Sequence, residues 1–312
     1  MIENVLVTAR TVPQPMIGAL EQFGEVRPCD ADPGPDHLAG ARVYVSTSVD
    51  PVPAEMIERF GPEMGLIANL GVGTDNIDLA AAGARGIQVS NTPVVTEDTA
   101  DLTLALMLAT CRRLSACERH LRAGDWAAGA RILGQRVHGK TLGIVGFGAI
   151  GQAVARRAAG FGMQILYHGP HRKQEAEGGL DAAFCADLTQ LLQASDIVSL
   201  NCPLIPETRH LINRDSLAQM KSGAVLINTG RGPLVDEAAL VEALASGHLG
   251  GAGLDVFEFE PEVTPQLLAF DNVTLLPHIG SATGECRSDM AQRAIANIQA
   301  FLTAGAPLDR CV

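Results

Sequence analysis

The sequence predicts an α/β protein with two doubly wound, parallel-sheet domains of the Rossmann type and a cleft between them. Two observations predict this fold class. A glycine-rich dinucleotide fingerprint lies between a predicted strand and a predicted helix, and βα alternation continues on both sides of it. The fingerprint begins near residue 142, and the chain before it is long enough for a domain of its own.

The fingerprint follows the apolar run 141–145 and leads into a predicted helix over 152–160. Its candidate cofactor-binding residues are Gly146, Gly148, Ala149, Ile150 and Gly151. The first glycine permits a tight turn, the second lets backbone N–H groups approach a pyrophosphate, and the third lets the helix pack close to the sheet. The helix N-terminus also favours phosphate. Glycine-rich turns without a ligand are common, but the flanking strand and helix favour a nucleotide site.

Four strands and one long helix are predicted before the fingerprint. The strands cover 5–7, 43–46, 66–69 and 87–89, and the first of them lies in the N-terminal segment MIENVLVT (1–8), which is predicted to form a first strand. The helix extends from Thr99 to about Ala123, with Thr96 or Asp98 as its N-cap and Gly124 as its end. Apolar side chains nearly encircle its first half, which predicts that this half is buried.

After the fingerprint, the alternation predicts an open parallel sheet. Its further strands are expected at 163–167, 196–200, 224–228, 251–256 and 272–276. Helical patterns at 187–193 and 236–246 lie between them, and a last helix at 284–303 has no strand after it.

The composition narrows the possible partners and location. The net charge of −12, without any basic run, argues against nucleic acid and anionic membranes as partners. The first residues lack a signal-peptide pattern, and no stretch is apolar enough to cross a bilayer. The seven cysteines are scattered without a C-x-x-C pair, and no metal-ligand spacing occurs. We therefore expect a cytoplasmic protein without a metal.

Three polar residues follow predicted strands of the second half, namely Arg231, Glu260 and His278. Because ligands of open α/β sheets bind outside the carboxyl ends of the strands, we expect these residues to converge beside a bound nicotinamide. Arginine can clamp a carboxylate, histidine can transfer a proton near neutral pH, and a glutamate beside it favours the imidazolium. The set suits hydride transfer to a 2-oxo acid. The alternative is an ion pair between the arginine and the glutamate, with a capping histidine.

These residues lie in segments through which the chain resembles the D-isomer-specific 2-hydroxyacid dehydrogenase family over nearly its whole length, and most closely the glyoxylate/hydroxypyruvate reductase branch. The matching segments are NLGVGTDNID (69–78), NTP (91–93), GKTLGIVGFGAIG (139–151), INTGRG (227–232), LDVF (254–257) followed by EP (260–261), and PHIGSAT (277–283). The resemblance implies an NAD(P)-dependent D-2-hydroxyacid dehydrogenase that reduces a small 2-oxo acid.

The resemblance also implies roles for individual residues. Arg231 would bind the substrate carboxylate and carbonyl, His278 would be the acid/base, and Glu260 would be its carboxylate partner. The backbone N–H groups of Val72 and Gly73 would grip the substrate carboxylate. The further implied cofactor contacts are Cys202 and Pro203 on the adenosine side, Asp255 at the nicotinamide carboxamide, and Thr229, His278 and Gly280.

A division into domains follows from the same resemblance. It implies a substrate domain of residues 1–97 plus 284–312 and a dinucleotide-binding domain of residues 98–283, hinged so that closure excludes water. It also implies a homodimer, with the single tryptophan, Trp126, in the dimer-forming region. The alternative is that Trp126 packs within its own subunit.

The sequence departs from NAD-dependent family members at one position. Those members carry an acidic residue about 20 residues past the fingerprint, which binds the ribose hydroxyls, whereas this chain has Gly169. His171, Arg172 and Lys173 follow, so that a 2′-phosphate would find space and positive charge. NADP-dependent relatives usually have an arginine where this chain has Pro170. We predict that NADP is preferred over NAD; the alternative is that these cations are ordinary solvated residues.

Other functions stay open. A corepressor branch of the family uses the fold as a dinucleotide-sensing interaction scaffold, but this chain keeps the whole Arg-Glu-His set and shows no long disordered tail. A formate dehydrogenase is disfavoured by Glu260, since a reaction without a proton to transfer needs no His–Glu pair. Among substrates, glyoxylate, hydroxypyruvate and longer sugar-derived 2-oxo acids stay open, because loops that the sequence does not place form the pocket wall.

Overall fold

The structure is a computed structural model that describes residues 4–29 and 32–312. Residues 1–3 of the predicted first strand lie outside the described residues. The chain divides into two compact units, Met1–Val95 with Ser281–Val312, and Thr96–Gly280. Which unit binds the substrate and which binds the dinucleotide stays a prediction at this point. Among the described residues, no helix combines the length and the apolar character that a membrane span requires.

Both units alternate strands and helices. The strands are β1 (Asn4–Thr8), β2 (Gly24–Pro28), β3 (Ala41–Thr47), β4 (Leu66–Leu70), β5 (Gln88–Ser90), β6 (Thr141–Val145), β7 (Gln164–His168), β8 (Ala182–Phe184), β9 (Ile197–Leu200), β10 (Val225–Asn228), β11 (Gly251–Leu254) and β12 (Val273–Leu275). The helices are α1 (Gln14–Leu20), α2 (Pro35–Leu38), α3 (Ala54–Glu58), α4 (Leu79–Ala84), α5 (Thr96–Cys111), α6 (Leu114–Arg122), α7 (Trp126–Arg131), α8 (Ala149–Ala159), α9 (Gln174–Leu180), α10 (Leu188–Ala194), α11 (Arg214–Gln219), α12 (Glu237–Ala245) and α13 (Gly284–Ala304).

The first unit contains a five-stranded parallel sheet in the order β2-β1-β3-β4-β5. The predicted strands are present, but β2 was not predicted, because this edge strand is polar and only half-buried. Helix α13, predicted at 284–303, packs against β4. Its buried Asn297 donates from Nδ2 to the carbonyl of Asn91 (2.9 Å) and accepts from the amide of Asp309 (2.8 Å), which joins the last helix to the end of β5.

The second unit contains a seven-stranded parallel sheet in the order β8-β7-β6-β9-β10-β11-β12. The strand order reverses between β6 and β9, and the carboxyl ends of these strands form the crevice where doubly wound folds bind ligands. Both faces are buried: Leu142 and Ile144 of β6 pack with α5 and α8, while Val145 joins a core with α10–α12. The short edge strand β8 was not predicted.

The predicted helix over 99–123 is wrong as a single element. The structure has α5 and α6 in its place, separated at Arg113, which adopts a left-handed conformation (φ = 55°). The carbonyl of Cys111 accepts the amide of Gln135 (2.6 Å), so a segment from elsewhere caps the end of α5. Helix α5 begins at Thr96, earlier than expected, and it is buried on one face only: Leu104, Leu106 and Met107 are buried, whereas Asp101 and Ala105 are exposed, so the expectation that apolar side chains bury it nearly all round is wrong. Gly124 follows the last turn of α6 with φ = 78°.

Candidate active site

The glycine-rich turn follows β6 at the point where the strand order reverses. Gly146 has φ = 92°, and its amide donates to the carbonyl of His168 (2.9 Å). A Cβ on Gly146 would stand 2.6 Å from the Cα of Cys202, and a Cβ on Gly151 would collide with the carbonyl of Gly146. Larger residues are therefore excluded at both positions, because the turn lies against the end of β9 and α8 packs against the turn.

The middle glycine has a different environment. A Cβ on Gly148 would meet no atom within 4 Å, so this part of the turn faces open space. Gly148 is the N-cap of α8, and the N–H groups of the first turn, which includes Ala149 and Ile150, have no partner within the helix. The geometry fits a pyrophosphate at the helix N-terminus.

Cys202 and Pro203 directly follow β9 on the other side of the crevice, and burial raises the pKa of the Cys202 thiol to about 11. This cysteine is therefore a neutral, packed side chain. Thr229, after β10, shares a 2.8 Å hydrogen bond with Thr103 of α5.

The predicted pair of His278 and Glu260 is formed. His278 Nδ1 lies 2.8 Å from Glu260 Oε2, and Glu260 Oε1 accepts the amide of Phe257 (2.9 Å). Burial alone would raise the pKa of Glu260, but the hydrogen bond and charge of His278, the Phe257 amide and the charge of Arg231 together lower it below its usual value. The carboxyl group is therefore ionised at neutral pH, beside the imidazole of His278 and within range of the charge of Arg231.

His278 stands in a strained turn. Its φ of 54° is unusual for a residue with a Cβ and costs about 1–2 kcal/mol. The turn is held by Asp255, whose carbonyl accepts the His278 amide (2.8 Å) and whose carboxylate accepts the amides of Ile279 (2.8 Å) and Gly280 (2.9 Å). Asp255 is almost fully buried, and burial raises the pKa of its carboxyl group.

Arg231 is presented by the loop after β10. Asn228 holds this loop at two points: its Nδ2 donates to the carbonyl of Arg231 (2.9 Å), and its Oδ1 accepts the amide of Gly230 (3.0 Å). The next residue, Gly232, lies so close to the backbone of Phe257 that a Cβ would collide with it. The loop of Arg231 is thereby packed against the loop that leads to Glu260.

A buried cluster behind this loop was not predicted. Glu237, only 2% exposed, accepts the amide of Glu258 at Oε1 (2.8 Å), and Glu258 Oε2 accepts the amide of Glu237 (3.3 Å). Thr264 donates to Glu237 Oε2, and His210 Nε2 lies 2.5 Å from Glu258 Oε1. The cluster fixes the start of α12 to the segment that carries Glu260. We found no sequence signal for it beyond the acidic residues themselves.

In the first unit, the turn after β4 has its carbonyl groups fixed. The carbonyl of Gly71 accepts the amide of Thr92 (3.0 Å), and that of Val72 accepts Asn91 Nδ2 (2.8 Å). Since the C=O and N–H of a trans peptide point in opposite directions, the N–H groups of Val72 and Gly73 are oriented away from these partners. Asn69 Nδ2 also holds the carbonyl of Gly73 (2.8 Å).

The segment after β7 differs in one respect from the expectation. A Cβ on Gly169 would meet no atom within 4 Å, and His171 and Lys173 are exposed, as a phosphate site would require. Arg172, however, is paired with Glu177 of α9 through two hydrogen bonds of 2.8 Å. Arg172 is therefore an exposed loop residue with a partner in its own chain, and its contact with a 2′-phosphate stays a prediction.

Comparisons with known proteins identify the family of the chain. Residues 104–280 match the family model described as the D-isomer specific 2-hydroxyacid dehydrogenase, NAD binding domain. The chain is 43% identical to a glyoxylate reductase of Thermococcus litoralis over 96% of its own length and 94% of that protein's. It is 47% identical to glyoxylate/hydroxypyruvate reductase B of Serratia proteamaculans, over 80% of this chain and 78% of that protein.

Among solved structures, the chain is similar to an NADPH-dependent glyoxylate/hydroxypyruvate reductase of Sinorhizobium meliloti in complex with NADP and malonate. The TM-score is 0.93 and the identity 35%, over 99% of this chain and 97% of the other. A dinucleotide-binding sheet with a histidine–carboxylate pair and an arginine at its strand ends defines a dehydrogenase. The chain belongs to the D-isomer specific 2-hydroxyacid dehydrogenase family, and it is an NAD(P)-dependent oxidoreductase.

Proposed function

We propose that the protein reduces glyoxylate and hydroxypyruvate with NADPH, the latter to its D-2-hydroxy acid. The observation that carries this proposal is the 2.8 Å hydrogen bond between His278 and Glu260, with Arg231 close enough for its charge to lower the pKa of Glu260. The similarity to glyoxylate reductases and glyoxylate/hydroxypyruvate reductases supports these substrates, and the similar NADPH-dependent reductase of Sinorhizobium meliloti, which was solved with NADP, supports the cofactor.

In this reaction, a bound reduced nicotinamide supplies a hydride to the carbonyl carbon of the 2-oxo acid. Arg231 binds the substrate carboxylate and polarises the adjacent carbonyl, a task that suits its planar fork. The N–H groups of Val72 and Gly73 bind the carboxylate as well, as two oriented backbone donors. The cofactor is held by the open face at Gly148 and by the N-terminus of α8.

His278 donates a proton to the carbonyl oxygen as the carbon gains the hydride, so the oxygen becomes a hydroxyl group without passing through a free alkoxide. Glu260 remains a carboxylate because its pKa is lowered, and its charge favours the imidazolium that must give the proton. Asp255 keeps the turn of His278 in place, and its predicted contact with the nicotinamide carboxamide is part of the proposal.

The preference for NADPH rests on the segment after β7. Gly169 supplies no carboxylate for the ribose hydroxyls, and the open space at its Cβ position leaves room for a 2′-phosphate. Arg172, which Glu177 holds through two hydrogen bonds, is the cation that we propose to face this phosphate. His171 and Lys173 add positive charge to the same segment.

The homodimer is also proposed. Trp126 is 72% exposed and Leu133 is 86% exposed, and the exposed Leu121 lies on the neighbouring helix α6. Large apolar side chains exposed together favour contact with a second copy over packing within the subunit. Emission from the single tryptophan should shift to shorter wavelength as the protein concentration rises, if the dimer buries Trp126.

The cytoplasmic location stays a prediction.

The proposed reaction is tested by mixing the protein with NADPH or NADH and a panel of 2-oxo acids, and by following absorbance at the reduced nicotinamide band. We expect turnover of glyoxylate and hydroxypyruvate with a higher kcat/KM for NADPH. The matched control is His278→Ala, which should bind NADPH without turnover. A protein that binds the dinucleotide but reduces none of the acids would instead be a nucleotide-sensing scaffold.

A further inference from the structure

Arg172, the side chain proposed to face the 2′-phosphate, is held by a carboxylate of its own chain. Its Nε and Nη2 atoms each donate a 2.8 Å hydrogen bond to one oxygen of Glu177. Such a two-point pair is the strong arrangement of an arginine and a carboxylate. The arginine side chain is 54% exposed and that of the glutamate only 15%, so the pair presents the guanidinium outward and the carboxylate inward.

Glu177 is itself fixed by a buried tyrosine. The hydroxyl group of Tyr167 donates to Glu177 Oε1 (2.6 Å) and accepts the amide of Lys173 (2.7 Å). The ring of Tyr167 is fully buried and stacks on Phe147 with a centroid distance of 4.0 Å, and Phe147 lies between the first two glycines of the fingerprint. Glu177 is therefore connected to the dinucleotide turn through two side chains.

Glu177 carries its negative charge throughout the neutral pH range. The hydrogen bonds from Arg172 and Tyr167 lower the pKa of the glutamate to about 2. A 2′-phosphate at the end of β7 and the carboxylate of Glu177 are thus two anions that compete for one guanidinium. The pair uses one hydrogen on Nε and one on Nη2, and the guanidinium carries five in all. A phosphate could therefore share the arginine, but it would bind against the nearby negative charge.

We infer that Glu177 is a specificity-determining residue that fixes Arg172 and weakens its attraction for a 2′-phosphate, and so limits the discrimination between NADPH and NADH. The inference rests on the proposed NADPH preference, since it assumes that Arg172 meets the phosphate. Glu177 contacts neither substrate nor reacting atoms. Its effect should appear in nucleotide binding and leave the chemistry of the 2-oxo acid unchanged.

The test compares two nucleotides that differ only in the 2′-phosphate, adenosine 2′,5′-bisphosphate and 5′-AMP, by calorimetry on the whole protein. Glu177→Gln keeps the size of the side chain and removes its charge. We expect the affinity for the bisphosphate to rise about threefold to tenfold relative to 5′-AMP, the scale of one charge beside a guanidinium that is 54% exposed. The gain should shrink at high salt. Glu175→Gln, an exposed position of the same helix, is the matched control and should change neither affinity.

A second variant separates this inference from the proposed cofactor preference. Arg172→Ala should weaken the bisphosphate and leave 5′-AMP unchanged. If it does so while Glu177→Gln has no effect or weakens the bisphosphate, the arginine contact stands and the competition by Glu177 is refuted. If neither variant changes the ratio, the phosphate does not meet Arg172 and both proposals fail. Unfolding midpoints of the variants confirm that each is folded.

Discussion

Glu237 and Glu258 each accept a backbone hydrogen bond from the other, at 2.8 and 3.3 Å. These two hydrogen bonds join Glu237, the first residue of α12, to the segment that leads to Glu260. The Glu237 carboxylate is buried, and both of its oxygens have a hydrogen-bond donor, the Glu258 amide and the Thr264 hydroxyl. Glu237 thus holds the segment that carries Glu260, and we expect it to position the His278–Glu260 pair.

Replacing this support should loosen the pair. We expect Glu237→Ala to lower kcat and to move the alkaline fall of reductive activity towards lower pH, because Glu260 would hold the imidazolium less well. The variant also leaves the Glu258 amide without its buried acceptor, which costs about 1–3 kcal/mol in the free energy of unfolding. The pH–rate profile is the measurement. Glu237→Gln keeps an acceptor oxygen and should show the wild-type pH–rate profile. If Glu237→Ala loses stability but its activity falls at the same pH as that of the wild type, Glu237 has only a structural role.

The clamp on the substrate is tested at Arg231. Lysine keeps the charge but loses the planar fork, so Arg231→Lys should lose about 10²-fold or more in kcat/KM for the 2-oxo acid, the scale of one strong transition-state contact. NADPH affinity should change little. The control is Arg214→Lys, at an exposed arginine of α11, which should leave kcat/KM unchanged. Near-normal turnover in Arg231→Ala would exclude the clamp.

The role of His278 as the proton donor is tested by changing its partner, Glu260. Because the pKa of Glu260 is lowered, the group is a carboxylate throughout the neutral range and loses its charge only when the pH falls below the usual range of a glutamate. Its negative charge favours the imidazolium form of His278, so reduction should fall as the pH rises and the imidazolium loses its proton. Glu260→Gln removes the charge and should move this fall to lower pH. The rising limb of the oxidation should move in the same direction.

The limbs are measured as kcat/KM against pH in both directions of the reaction. His278→Ala is the reference and should remove most turnover while NADPH still binds. A Glu260→Gln profile that coincides with the wild-type profile would show that the carboxylate does not tune the acid.

Cofactor choice is tested at Gly169. The space around its Cβ position admits an aspartate, which would offer hydrogen bonds to the ribose and repel a 2′-phosphate. We expect Gly169→Asp to shift the kcat/KM ratio towards NADH by at least about tenfold, on the scale of one hydrogen bond to a charged group. Gly178→Asp adds the same charge on α9, also into open space, and should leave the ratio near its original value. A wild-type protein that already prefers NADH would contradict the cofactor proposal.

Much of the site was predictable because strand ends are predictable. Apolar runs locate the strands, parallel strands share one edge for their carboxyl ends, and the polar residues that follow, Arg231, Glu260 and His278, must then be neighbours. The first and third glycines of the fingerprint were predictable for a similar reason, since a local close approach requires each of them, whereas Gly148 faces open space. The edge strands β2 and β8 escaped prediction because short, partly exposed strands have little apolar periodicity.

The supporting contacts were not predictable. Arg172 and Glu177 lie on either side of the start of α9, and whether they pair depends on how that helix leaves the sheet. The sequence predicts a cofactor contact for Asp255 but not that both its carboxylate oxygens hold a backbone turn, whose left-handed conformation no pattern indicates. The break at Arg113 depends on a distant amide that caps α5. Each of these features follows from tertiary geometry that a single sequence does not encode locally.

The first unit is assembled from two stretches of chain that the ribosome makes at different times. Asn297 on α13 bonds to Asn91, 206 residues earlier, and the whole second unit is synthesised between them. The second unit is continuous and can fold as soon as it has emerged. One face of the sheet in the first unit stays uncovered until α13 has been synthesised. A folded second unit brings the two stretches together and shortens the search that the last helix has to make.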